Sequence, residues 1–555
     1  LFYSGRDPWE HPNSDWMGDL VRDWTTSTKH NVTLDGGQNG MYYYVSLGYK
    51  NEKAIYQQES TNYKQYNMRA KLEIPITDWL KVSADYAGFI TSRLYPTKSA
   101  GAVYGQAQRL VPTQWSFWPT GEPGPDIEYG DNPVVTSTLE TGTDDQKSYK
   151  NQTTFKATVT PKMVEGLTIE GAYTYDVDNN YRKRFQKPWT LYFPIWDSAQ
   201  RDGEGYITSM DLTPTPRGVP SPELTEVYSR SIRQLANVSA NWDRTFGDHT
   251  VTLFGAYEQL SEEWNGFDAF RKYYISDVVK TLDAGSDTDK DNGGYMGIYA
   301  RKSWIGRANY SYKGKYLAEV VFRRDGSLKY PEDSRWGNFP ALLVGWRASE
   351  EDFWKENLGF VDYFKLRASY GKMGMDPGAA FQFMNKYALG AGATLGTGKV
   401  VETVVYQANV ANPIITWEKQ TTYNIGFDSK FMDNAFHLNT EFFYNKRSDI
   451  LTSRNASVPG FTGLALPDEN IAEVDNRGFE LDGGYHKKVN NDLRFDITAN
   501  LAYNHNEVVF MDEPERAVPW QTRTGHPYGA QLLYNAIGIF KDQAAIEAGI
   551  IPVVR

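Results

Sequence analysis

Within residues 493–504 every second position is apolar, Leu493, Phe495, Ile497, Ala499, Leu501 and Tyr503, while the positions between them include Arg494, Asp496, Thr498, Asn500 and Asn504. A period of two marks an extended strand with one dry face and one wet face. Twelve such residues at about 3.3 Å each reach roughly 40 Å, longer than the usual strand of a soluble domain. Similar alternation appears in LKVSADYAGF, LTIEGAYTYD, FKLRASYG and FHLNTEFFYNK. It predicts about 16 strands: 29–35, 42–50, 66–74, 80–90, 147–160, 167–178, 230–244, 249–260, 299–312, 316–325, 336–348, 363–371, 421–431, 436–446, 476–487 and 493–504.

The connections carry further information. Those around Gly247, Gly314, Asp433 with Asn434, and Asn490 are short and built from Gly, Asn and Asp, as hairpin turns require. Between the hairpins lie long irregular stretches, about 91–146, 179–229, 261–298, 372–417 and 449–475. Repeated long loops are rare in compact soluble domains. Outer-membrane barrels, by contrast, place short turns on the periplasmic side and long loops outside. The fold expected on this ground is all-β, a transmembrane antiparallel β-barrel. A propeller would show a blade-length repeat, and none is visible.

Composition agrees. Aromatic residues make up 15% of the 555 positions, with 38 Tyr and 16 Trp, against a hydrophobic total of only 40%. Tyr and Trp suit a surface that meets both headgroups and water. No run of about 18 apolar residues is present, so a transmembrane helix is not expected, whereas a barrel spreads its apolar signal over alternate positions. With no cysteine, disulfides, thiolate metal sites and thiol catalysis are removed together. A formal charge of −11 argues against nucleic acid as partner. The opening LFYSGRDPWE has neither Met nor an apolar stretch, and the sequence is expected to be a processed or partial chain.

Two aromatic loops are candidates for contact with cargo or a partner. QWSFWPTGEPGPDIEYGDNP carries Trp115, Trp118 and Tyr129, and KPWTLYFPIWD carries Trp189, Tyr192 and Trp196. Rings held by Pro and Gly backbone offer flat faces to sugars or peptide side chains; the competing reading is that they pack the loops themselves. DTDKDNGG spaces Asp287, Asp289 and Asp291 like the start of a calcium loop, but the glycine falls one place late and Ile298 stands where a bidentate Glu belongs. A solvated acidic loop, with no cofactor, is expected there. His11, His30, His249, His437, His486, His505 and His526 show no zinc-type pairing, and no nucleophile elbow, phosphate loop or dinucleotide fingerprint occurs. No enzyme is expected.

Several stretches, in order over nearly the whole chain, resemble the SusC/RagA family of TonB-dependent outer-membrane transporters of Bacteroidetes-type bacteria. They are DWLKVSADYAGF from Asp78, KYLAEVVFRRDGSLKY from Lys315, RWGNFPALLVGWRASEEDFW from Arg335, DYFKLRASYGKMG from Asp362, WEKQTTYNIGFDSKF from Trp417, FFYNKRSDIL from Phe442 and NRGFELDGGYHKK from Asn476. The resemblance implies a 22-stranded barrel with an N-terminal plug. Residues 1–24 would be the tail leading from plug into barrel and 25–555 barrel strands and loops, with plug, TonB-contacting box and last strands outside this segment. It further implies active import of a glycan or oligopeptide, a SusD-like surface lipoprotein as lid, and TonB acting through the plug. A passive porin-like channel, a surface adhesin barrel and a soluble secreted binding protein are the alternatives.

Overall fold

A computed structural model describes residues 2–549 apart from 59, 396, 398–399, 455, 457–465 and 537. Part of the loop expected at 449–475 lies outside the described residues.

Sixteen strands form one antiparallel sheet in which each pairs with its neighbours in sequence order. They are β1 Ser27–Gln38, β2 Met41–Lys53, β3 Asn62–Thr77, β4 Leu80–Tyr95, β5 Gly142–Val159, β6 Leu167–Gln186, β7 Glu223–Phe246 and β8 His249–Lys272, followed by β9 Asp291–Tyr312, β10 Tyr316–Ser327, β11 Trp336–Trp346, β12 Val361–Met375, β13 Glu418–Phe431, β14 Phe436–Ser453, β15 Asp468–Lys488 and β16 Arg494–Phe510. Every expected strand is present. Packing divides the chain into two units, one of Leu1–Val164, Thr168–Val238 and Glu258–Ala300, the other of Glu165–Leu167, Ser239–Tyr257 and Arg301–Arg555.

One end of the strands carries the tight turns. Asn39 and Gly40 join β1 to β2 with φ of 53° and 78°, the mirror-image turn that matches strand twist and that an Asn-Gly pair reaches with little strain. The β11–β12 connection is longer, and the Glu351 carboxylate pins it by accepting from Tyr316 Oη at 2.7 Å, Lys315 Nζ at 3.1 Å and Trp346 Nε1 at 3.2 Å.

The strands differ from expectation in length. The loops shrink because β4, β6, β8 and β12 run on to Tyr95, Gln186, Lys272 and Met375, and β5, β7 and β9 begin at Gly142, Glu223 and Asp291. In these extensions polar residues occupy both faces, as in Asp144 and Asp145 of β5 or Arg182 and Lys183 of β6. The hydrogen-bonded ladder continues where the apolar contrast has gone. Within 376–417 a separate hairpin, Tyr387–Leu395 with Val400–Gln407, was not expected.

Register shows how the two faces sort. In the first unit Leu80, Val82, Ala84, Tyr86, Gly88 and Ile90 share one face of β4, opposite Ile74, Leu72, Ala70, Met68 and Tyr66 of β3 and Ala157, Phe155 and Tyr149 of β5. Lys81, Ser83, Asp85, Thr91 and Arg93 share the other face. From Leu80 to Ile90 the apolar face extends about 33 Å along the strand, or about 23 Å of depth at a tilt of about 45°, close to the band of a membrane barrel. Tyr49 and Tyr66 close that band at the long-loop end with rings 5.2 Å apart, and Trp79 stands exposed just beyond its other end. In the second unit Tyr370, Tyr423 and Tyr444 form the matching row, at 5.3 and 6.3 Å, and Tyr312, Tyr316 and Trp346 lie near the tight turns. No helix among the described residues is long and apolar enough to cross a membrane, which says nothing of strands.

A cation placed mid-band should therefore be costly on one face only. Ala84→Arg is expected to destabilise the full-length protein folded in lipid vesicles by about 2–4 kcal/mol, read from urea titration, while Ser83→Arg leaves the midpoint nearly unchanged.

Candidate functional site

On the polar face the strands hold a ladder of charges rather than a single constellation. In the first unit Arg69 reaches Asp85 through two hydrogen bonds of 3.1 and 2.7 Å, Glu73 accepts Lys71 at 2.7 Å and Lys81 at 3.5 Å, and Lys150 meets Asp178 at 2.8 Å. In the second unit Arg367 spans Asp428 at 3.3 Å and Glu441 at 2.7 Å. Such half-exposed pairs contribute about 0–1 kcal/mol each. Their chief consequence is a wetted, hydrogen-bonding wall, the character of a barrel interior.

At the long-loop end of the first unit the connections fold into a small domain with cores of their own. Trp118, 2% exposed, stacks on Trp115 at 4.9 Å and Trp9 at 5.8 Å and packs with Ile207 and Met210. Its indole N–H donates to the Tyr192 carbonyl at 2.9 Å, and that of Trp115 donates to the Pro8 carbonyl at 3.2 Å. A second core joins Trp189 and Leu191 to Trp16, Val134 and Val135. Asn132 places Val134 and Val135 there: its side-chain oxygen caps the Val134 N–H at 3.1 Å, and Pro133 supplies the helical φ of the first turn. In the second unit Trp417 packs with Tyr330, Phe339 and Ile415 and donates to the Arg335 carbonyl at 2.9 Å.

Of the six aromatic candidates, Trp118 and Trp189 are thus buried in loop cores, and Trp115 and Tyr192 flank the first of them. Tyr129 is 93% exposed at a positive φ of 54°, and Trp196 is 49% exposed. These two keep ring surface open to water. Sequence reading missed Trp9 and Trp16, the residues by which 1–24 is held among the loops.

The calcium-like run is engaged with protein groups. The Asp287 carboxylate accepts from Arg271, whose guanidinium together with Lys290 holds it below the usual carboxylate range, and Asp289 accepts from Tyr273 Oη at 2.7 Å and so raises that phenol. Among the described residues one other group could gather a cation, Asp7, Glu10 and His11. There Asp7 bonds His11 Nδ1 at 2.9 Å, and Glu10 pairs with Arg201 at 2.7 Å, so each member of the set is already engaged by a protein group.

A family model described as TonB dependent receptor-like, beta-barrel, matches residues 110–536. The TonB-dependent receptor P26 of Formosa agariphila is 26% identical over 91% of this chain and 48% of its own length. The TonB-dependent receptor SusC of Bacteroides thetaiotaomicron is 24% identical over 89% of this chain and 48% of its own. The chain thus spans about half the length of the curated relatives it matches. Among solved structures, the RagAB peptide transporter superposes with a TM-score of 0.75 at 19% identity, covering 93% of this chain and 55% of that one.

Two outcomes follow from the loop cores and their charges. Trp118→Ala should lower loop-domain stability by about 3–5 kcal/mol, so limited proteolysis should cut within 96–141 while the heat-modifiable gel mobility of the barrel is kept; Tyr129→Ala should leave the digest unchanged. Calcium should not alter protection of 273–290. Because the Asp287 pKa is depressed, its contact with Arg271 holds at neutral pH and is lost only as pH falls through the folded value, below the ordinary carboxylate range, and cleavage there should rise only then.

Proposed function

The chain belongs to the TonB dependent receptor-like β-barrel family of the outer membrane, and on that premise we propose that the whole protein is an active importer of a glycan or oligopeptide. A SusD-like surface lipoprotein covers the long loops, and TonB acts through a segment outside this chain. The observation that carries the reading is the division of labour along the strands. An apolar band meets lipid, a hydrogen-bonding wall lies behind it, and in the first unit the long loops at one end fold around cores of their own. The likeness to SusC and to the RagAB fold supports it.

Each part has a physical task in transport. The polar wall lets a hydrophilic solute pass without being desolvated against hydrocarbon. The loop domain presents a pre-formed surface, so little ordering entropy is lost on docking a lid or cargo. Tyr129 and Trp196 are its open aromatic faces, while Trp115, Trp118, Trp189 and Tyr192 serve by holding the loops in shape. No residue of the chain is assigned a catalytic role.

Energy coupling separates this reading from a passive channel or an adhesin. In cells carrying the full-length gene, accumulation of the native cargo should stop when the proton gradient is dissipated. Uptake that continues under the uncoupler, or its absence in wild-type cells, would overturn it.

A further inference from the structure

The rows of the inner face can be read strand by strand from the register. At the long-loop end of the first unit Tyr63 stands opposite Arg93, Arg93 opposite Gln146 and Gln146 opposite Arg182. One step toward the tight turns, Gln65, Thr91, Ser148 and Asn180 form the next row on the same face. Cross-strand neighbours have Cβ atoms about 5 Å apart, and the two rows lie about 7 Å apart. All of these but Gln65 line a pocket of about 410 Å³, to which Lys147, Tyr181, Val227 and Ser229 also contribute.

Its two arginines are not equivalent. Arg182 is neutralised by a two-point contact with Asp144, Nε to Oδ1 at 2.9 Å and a second N–H to Oδ2. Arg93 has no carboxylate partner among the described residues. Its guanidinium lies over the Tyr95 ring, 4.8 Å from the centroid, and one N–H is donated to the Gln146 amide oxygen. That amide is in turn fixed by its own N–H to Asp144 Oδ1 at 3.1 Å. Arg93 is therefore oriented but not charge-balanced. A guanidinium has five N–H donors in a planar fork suited to a two-oxygen anion.

We propose that Arg93 is the anion-recognition point for cargo and that the cargo is an acidic oligosaccharide, its carboxylate or sulfate seated on the free edge of the guanidinium. The rest of the wall selects sugar over peptide. Tyr63, Thr91, Ser148 and Asn180 offer hydroxyls and an amide, which match sugar hydroxyls, and of the side chains lining the pocket Val227 alone is aliphatic, so it has little branched apolar lining to receive peptide side chains. In a chain of net charge −11 an unbalanced cation at the loop end of the polar wall also gives the field a local focus. The inference rests on the importer reading and names the cargo class for it.

The test uses full-length protein purified in detergent with whatever lipoprotein accompanies it, titrated calorimetrically with tetragalacturonate, maltotetraose and tetraglutamate. Tetragalacturonate should bind most tightly, with an affinity that falls as salt rises. Arg93→Gln should cost about tenfold or more and flatten the salt dependence, and Arg93→Lys should recover only part of the loss, since it keeps charge without the fork. Heat-modifiable mobility should be unchanged in both variants. The proposal is overturned if Arg93→Gln binds tetragalacturonate like wild type, if maltotetraose binds as tightly, if only tetraglutamate depends on Arg93, or if none of the three binds. Uncoupler-sensitive uptake of the native cargo, which does not depend on these probes, judges the importer reading separately.

Discussion

A peptide group in hydrocarbon must find its hydrogen-bond partner within the protein, since an unpaired one costs several kcal/mol. The ladder between neighbouring strands meets that demand for β2 to β15, each of which pairs on both sides. Once the ladder exists, everything else about the wall is positional. A strand slipped by one residue would turn Leu72, Val82 and Phe155 inward and expose Arg69, Lys81 and Lys156 to lipid. The apolar band therefore locks the register, and the register sets the rows of the polar face. Arg69 with Asp85, or Arg93 beside Gln146, are neighbours because Val82 and Ile90 must face outward.

The loop end obeys a different balance. Away from lipid, backbone groups can bond to water, and long connections are held only if they bury enough apolar surface to offset their conformational entropy. Trp9, Trp16, Trp115, Trp118 and Trp189 supply that surface in the first unit and Trp417 in the second. The result is a shaped cap rather than loose connections. Aromatic residues abundant enough to suggest ligand stacking are in large part the means by which the loops acquire a core.

This explains which features the sequence displays openly. Strands are legible between Leu80 and Ile90 because lipid on one side and water on the other impose period two. Their ends are not, since Asp144 and Asp145 or Arg182 and Lys183 look alike whether laddered or looped. The Asn39-Gly40 turn carries a plain local signal, a pair that takes positive φ at both positions with little strain. Trp118 in its Pro- and Gly-rich loop reads the same whether its face meets solvent or Trp9, a partner from far along the chain. The Arg93 pocket draws on five strands, from Tyr63 of β3 to Ser229 of β7, and only the pairing of neighbours brings them into line.

The assignment of faces underlies all of this, and the chain is suited to test it because it contains no cysteine. Single cysteines placed along β4 from Lys81 to Ile90 in the full-length protein, reconstituted in vesicles containing nitroxide-labelled lipid, would be labelled with a fluorophore. Labels at 82, 84, 86, 88 and 90 should be quenched by the lipid probe, and those at 81, 83, 85, 87 and 89 by an aqueous quencher. Quenching without alternation, or with the two sets exchanged, would contradict the wall described above and every site placed on it.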